Sequence, residues 1–384
     1  MGYGEYPIYI LFFVWVVGLD AMTTIPMARL RLKDKPIPFA GINLLSIFTN
    51  ISLNLFFIMY CPYALSDTSA IGYDLIQTYY DPSFGVGYIF LANLISSALR
   101  FILLLPWMID IRFGFHLKLF KKIFPYALPL LFLGLAGIVN ETFDRAFYQE
   151  LSGLDKKTAD AQLGVYGACY KVAMLLSIGI QAYRFAAEPF IFSIVNPEES
   201  RKTQGVIMKY YFIVASFIAL CILSFLDIAL LLIGEEYREG KGVIPILIAA
   251  YVLFGAVFNL SFWYKMSDRT IFGAIIAASG AIVTIVTNVL LIPKIGYYGA
   301  ATATFLAYLV MAVLSYSLGR KKHFTGYPLK EIGFYVALAA TLIIVNYQLN
   351  LSGILRHLAA GLSIAIYVGA TVSREKKLQD LIKK

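Results

Sequence analysis

The chain has 384 residues, of which 60% are hydrophobic and only 14% charged, with a mean hydropathy of +0.75 and a net charge of +9. Soluble domains carry roughly 25% charged residues, so this composition excludes a water-soluble globular protein and points to a polytopic membrane protein. Three scattered cysteines in apolar surroundings (Cys61, Cys169 and Cys221) exclude a disulfide framework and a zinc site built on thiolates.

In chain order, the apolar runs predict eleven spanning helices over 7–28, 37–60, 84–107, 124–148, 163–187, 205–226, 243–264, 271–292, 299–319, 331–348 and 354–372. Runs of this length match the ~30 Å hydrocarbon core at 1.5 Å per residue. In lipid the backbone must satisfy its own hydrogen bonds, so such runs fold as helices and not as open strands. Residues 227–233 are expected to form a short interfacial helix after the sixth span. The opening Met1–Glu5 lacks the basic stretch of a cleavable signal, so insertion is expected to rely on the helices themselves.

Of the 32 Lys and Arg residues, 22 fall on the side of the 29–36 loop, six on the other side, and four inside spans. The positive-inside rule then places the tail from Ser373 in the cytoplasm of a cytoplasmic (inner) membrane protein. The 61–83 loop, with Asp67, Asp74 and Asp81 and no basic residue, is placed outside. The net positive charge is thus mostly a topology signal. It calls for no nucleic acid, and the basic tail suits anionic membrane lipid.

An internal repeat divides the chain. Asp34-Lys35 precedes Asn54 by the same interval that Asp268-Arg269 precedes Asn288, 19 residues in each case counted from the basic residue. The first three helices therefore match the seventh, eighth and ninth in the same orientation, and parallel repeats of this kind are common in transporters. The expected organisation is a partial N-terminal lobe of three helices over 1–123, a six-helix lobe over 124–322, and a final helix pair with a basic tail over 323–384. Counterparts of the fourth to sixth helices are missing before the first, so about three N-terminal helices of the architecture are expected to be absent.

The chemistry concentrates between Pro125 and Pro189. Two helices there carry Glu141, Asp144, Arg145, Lys171 and Arg184, although an ionisable group at the centre of a membrane helix costs roughly 3 kcal/mol on insertion scales. Glu141 and Arg145 are four apart on one face and can neutralise each other. Asp144 can pair with Lys171 on the antiparallel neighbour. Alternatively, Arg145 and Lys171 line a cavity in which their donors hold phosphate oxygens. Arg184 lies about 20 Å along the helix from Lys171 and can snorkel to the interface with Glu188. Arg100 has no acid nearby in sequence. Asp20 is a lone intramembrane acid, suited to proton or cation coupling or to an interhelical hydrogen bond. Asn54 and Asn288 read as interhelical glue.

His116, His323 and His357 stand outside the spans or at their ends, with no acid at useful spacing. No nucleotide loop, cofactor site or metal cluster is present in the sequence, so an enzyme is not expected. A membrane glycan polymerase would need the three aspartates of the short 61–83 loop.

Four stretches resemble the polysaccharide flippases of the MATE-like (MOP) superfamily, the Wzx type. They are Pro129 to Arg145 with Gly164-Val-Tyr-Gly-Ala-Cys-Tyr-Lys171; Leu231-Leu-Ile-Gly-Glu-Glu-Tyr-Arg-Glu239; Leu291-Ile-Pro-Lys-Ile-Gly-Tyr-Tyr-Gly-Ala300; and Pro26-Met-Ala-Arg-Leu-Arg31. The resemblance implies an all-α, two-lobe fold whose N-terminal lobe is here incomplete, since family members have about fourteen helices. It implies translocation of a lipid diphosphate-linked oligosaccharide (O-antigen, lipopolysaccharide or capsule type) by alternating access, without covalent chemistry. Polymerase or glycosyltransferase partners would follow from that role. Arg145 and Lys171 are then the first candidates for the diphosphate, Arg100 and Arg184 the second, and Asp20, Glu141 and Asp144 the coupling or pairing acids. A MATE-like small-molecule exporter and an inactive truncated fragment are the other readings.

Overall fold

The structure is a computed structural model that describes residues 7–33, 35–109, 114, 116–194, 196–322, 326–349 and 351–382. Asp34, Arg112, His323, Lys383 and Lys384, each used in the sequence reading, lie outside the described residues. Eleven helices among the described residues are long and apolar enough to cross a membrane. They are α1 (Pro7–Leu32), α2 (Pro36–Ser66), α3 (Gly87–Met108), α4 (Leu117–Ser152), α5 (Lys156–Ser193), α6 (Pro197–Ser224), α7 (Ile244–Leu260, prolonged by Phe262–Met266), α8 (Thr270–Ile295), α9 (Tyr297–Lys322), α10 (Leu329–Gln348) and α11 (Gly353–Ile382). The protein is an all-helical, multi-pass membrane protein.

Each span is found where the apolar runs place it, but several helices are longer. The fourth and fifth reach 36 and 38 residues, well past the ~20 needed to cross, because their polar ends continue as helix outside the apolar run. Asp155 caps the start of α5 by accepting from the Thr158 amide, and Asn196 does the same for α6 through the Glu198 amide. The stretch after α6 forms a short helix, Leu226–Ala229, and a 3-10 turn, Leu230–Leu232, as expected for that segment. A longer 3-10 helix, Glu235–Val243, then leads into α7.

Two compact units are present, Met1–Phe115 and His116–Lys384. In the first, α3 is the hub on which both α1 and α2 pack. Small polar residues bring α2 and α3 together: the Ser46 and Ser96 hydroxyls are 2.9 Å apart, and the Asn50 amide donates to Asn93 at 2.9 Å. Met27, Leu30, Ile42 and Leu104 form the apolar core at one end. The 61–83 segment folds over the other end as part of α2, a short helix Tyr73–Tyr79 and a 3-10 turn. Asp67 and Asp81 accept from the Ser69 and Ser83 amides and hydroxyls, which holds both carboxyls below the usual range. These aspartates shape turns.

In the second unit, α7 and α9 pack together, α8 packs on both α9 and α4, and α7 also meets α5 and α6. The α7–α8–α9 triplet repeats the packing order of α1–α2–α3: the first and second helices each lie against the third. The two repeat asparagines behave alike locally, since Asn54 donates to the Asn50 carbonyl and Asn288 to the Thr284 carbonyl, both at 2.8 Å. Glue between helices comes instead from their neighbours four residues earlier. Asn50 reaches Asn93, and Thr284 donates to Asn140 on α4 at 2.9 Å.

The final pair, α10 and α11, packs on α6. Lys209, counted by sequence among the loop-side basic residues, is buried within α6, where its ammonium donates to Glu375 at 2.7 Å and stands 3.5 Å from Glu331. Tyr335 donates to the same Glu375 at 2.7 Å.

Candidate functional site

Asp144 on α4 is the most buried of the candidate site residues, 2% exposed. A carboxylate there needs donors, and it finds them in the Tyr166 hydroxyl at 2.6 Å and the Arg145 backbone amide at 2.8 Å. The Arg145 side chain adds an ion pair, Nε to Asp144 Oδ1, at 3.8 Å. Asp144 is therefore held by Tyr166 and Arg145; the Lys171 partnership expected from sequence does not form.

Arg145 is about one-third exposed. Its guanidinium lies over the Tyr170 ring at 4.5 Å and donates to the Glu141 backbone carbonyl. The four-residue spacing thus engages the Glu141 main chain and leaves the Glu141 carboxylate exposed. Tyr166 and Tyr170 are one turn apart on α5, ring centroids 5.8 Å apart, so one tyrosine serves the acid and the next serves the base. Tyr251 on α7 continues the aromatic wall at 5.8 Å from Tyr170.

Arg184 corrects the sequence picture most. Glu188 does not pair with it: Glu188 accepts from Lys265 at 3.1 Å. The Arg184 guanidinium instead lies over Phe258 on α7 at 4.4 Å. The 13-residue separation along α5 sets Arg184 far from Lys171, and its long side chain turns to the ring on α7. Lys171 is exposed and, among the described residues, has neither ion pair nor hydrogen bond.

The arrangement is thus two guanidiniums, each backed by an aromatic ring, on the two helices that also carry the exposed Glu141 carboxylate and Lys171 ammonium. Planar guanidiniums fixed in this way can present paired donors to a phosphate or carboxylate, while the rings that back them are buried. Sequence reasoning missed the tyrosines. The i, i+4 spacing of Tyr166 and Tyr170 opposite Asp144-Arg145 was the available signal.

Asp20 and Arg100 belong to the first unit. Neither has a partner near it in sequence, yet α1 and α3 bring them together at 3.8 Å. That distance is an ion pair without a hydrogen bond, and Asp20 Oδ1 and Arg100 Nε remain unbonded.

No protein-family model matches this chain, and no curated protein matches it. Among solved structures, it is similar to the lipid II flippase MurJ in an inward closed conformation, with 14% identity over 98% of this chain and 87% of that chain and a TM-score of 0.49.

Proposed function

We propose that the protein translocates a lipid diphosphate-linked oligosaccharide across the cytoplasmic membrane by alternating access, for cell-surface polysaccharide synthesis. The observation that carries this reading is the pair of ring-backed guanidiniums in the second unit, Arg145 over Tyr170 and Arg184 over Phe258. A diphosphate must be carried through a medium that cannot solvate it, and each charge-assisted hydrogen bond offsets about 1.5–3 kcal/mol of that cost. In this reading Arg145 and Arg184 receive the diphosphate and Lys171 adds a third cation, while the exposed Glu141 carboxylate stands one turn from Arg145 on α4. Asp144 holds Arg145 in place and does not touch the substrate. The Asp20–Arg100 pair is assigned to packing of α1 on α3, which moves Arg100 from the secondary diphosphate candidates to a structural role.

The test is complementation of a flippase-deficient strain with the full chain, monitoring expression of every variant. Arg145→Ala, Arg184→Ala and Lys171→Ala are expected to lose polymer export, and Glu141→Gln to slow it while retaining substrate. Wild-type export by both Arg145→Ala and Lys171→Ala removes the diphosphate site. The exposed acid Glu141 also favours a second reading, a cation exporter on the same scaffold. In that case Glu141→Gln abolishes transport of a cationic drug and Arg145→Ala does not.

A further inference from the structure

The second unit holds a cavity of about 700 Å³ where the end of α6, the 3-10 helix before α7 and the turn between α10 and α11 meet. It shares no residue with the Glu141 cluster. Its lining carries two acids, Asp227 and Glu239, and two bases, Lys241 and Arg356. The rest is largely apolar, from α6, α7 and α10 (Leu223, Pro245 and Ile343, for example).

Arg356 stands 3.6 Å and His357 3.7 Å from the two Asp227 oxygens; the Arg356 contact is an ion pair without a hydrogen bond, and Asp227 Oδ1 has no hydrogen-bond partner. Glu239 and Lys241 are both exposed, and among the described residues neither makes an ion pair. Asn346, donating to Ser224 at 3.0 Å and accepting from Ser363 at 3.1 Å, fixes the polar floor between α6, α10 and α11.

We infer that this cavity binds the headgroup of a zwitterionic phospholipid of the phosphoethanolamine type, its acyl chains following the apolar wall. The charge balance decides the class. A purely anionic headgroup would meet Asp227 and Glu239, and a cationic amphiphile would meet Lys241 and Arg356. A phosphate joined to a primary ammonium satisfies both pairs, with the phosphate taken by Arg356 and Lys241 and the three ammonium donors by Asp227 and Glu239. Such a lipid would pin the α10–α11 turn to α6.

The experiment uses the full chain in detergent, titrated with short-chain phosphatidylethanolamine, phosphatidylglycerol and phosphatidylcholine and with chain-free glycerophosphoethanolamine, bound lipid being read by native mass spectrometry. Phosphatidylethanolamine is expected to bind about tenfold or more tighter than the other two lipids, the size of one charge-assisted hydrogen bond. Glu239→Gln and Lys241→Gln change exposed side chains, so folding is retained. The first should erase the preference over phosphatidylglycerol, and the second should weaken all phosphate-bearing lipids. Equal binding of the three lipids, or unchanged preference in Glu239→Gln with Asp227→Asn, overturns the inference. Glycerophosphoethanolamine binding as tightly as the lipid overturns the membrane source and leaves a soluble zwitterion.

Discussion

Asp20 and Arg100 show what a single ionic contact does in this chain. Each lies inside an apolar helix, where a lone charge costs roughly 3 kcal/mol, and the two meet at 3.8 Å across α1 and α3. Removing one leaves the other without a counter-charge. Arg100→Gln or Asp20→Asn alone should therefore lower stability in detergent. The double variant should cost less than the sum, with a coupling of about 1–2 kcal/mol. Strict additivity in thermal midpoints would refute the pair. At the Glu141 cluster the same logic separates structure from transport. Asp144 is buried and bonded to Tyr166, so Tyr166→Phe should destabilise the second unit by about 1–3 kcal/mol through an unsatisfied carboxylate. Lys171→Ala, an exposed change, should leave the thermal midpoint unaltered while export falls.

At the scale of elements, two junctions carry specific loads. The turn from α8 into α9 bends at Gly296, with φ +57°, and α9 begins so close to α8 that a β-carbon on Gly299 would sit 2.6 Å from the Leu291 carbonyl carbon. Backbone cannot yield as a flexible side chain does. Gly299→Ala should cost about 1–3 kcal/mol, whereas Gly333→Ala, with open space at its β-carbon, should be tolerated. The Leu291–Ala300 motif read from sequence thus has a packing cause. The second junction is the seat of α11 on α6. Lys209 and Glu375 are only 11% and 13% exposed, and Tyr335 joins them. Breaking a buried pair costs about 3–5 kcal/mol, and Glu331 at 3.5 Å retains part of the lysine's charge balance. Glu375→Ala is expected near the lower end of that range, measured as a fall in thermal midpoint with α11 becoming protease-sensitive. An unchanged midpoint would show the contact to be dispensable.

For the whole molecule, the sequence count of 22 basic residues on one side of the spans against six on the other predicts the 61–83 loop outside and the tail from Ser373 in the cytoplasm. A cysteine at the exposed Ser66, with the native cysteines removed, should react with an impermeant thiol reagent in intact cells. Reaction only after lysis, with another outer loop accessible, reverses the assignment. The triplets α1–α2–α3 and α7–α8–α9 share a packing order, the first and second helices each lying against the third. What stays different is the neighbourhood: Asn288 is fully buried beside α4, and Asn54 is only partly buried.

The class, the number of helices and the asymmetry of charge were legible in the sequence because each is a sum over many residues. A run of twenty apolar side chains has one stable form in lipid, whatever its neighbours. Helix ends were less legible, since Lys156–Gln162 and Glu150–Ser152 continue a helix at no cost once outside the apolar core. The site was legible only as an inventory. Glu141, Asp144, Arg145 and Arg184 could be named, but their partners depend on which helices touch. Spacing along α4 offered Arg145 the Glu141 carboxylate; tertiary packing assigned it Asp144, Tyr170 and the Glu141 main chain. Spacing along α5 sent Arg184 to Glu188, while α7 supplied Phe258 and gave Glu188 to Lys265. Long cationic side chains reach about a turn and a half in either direction, so their contacts are chosen by the neighbouring helix and not by their own.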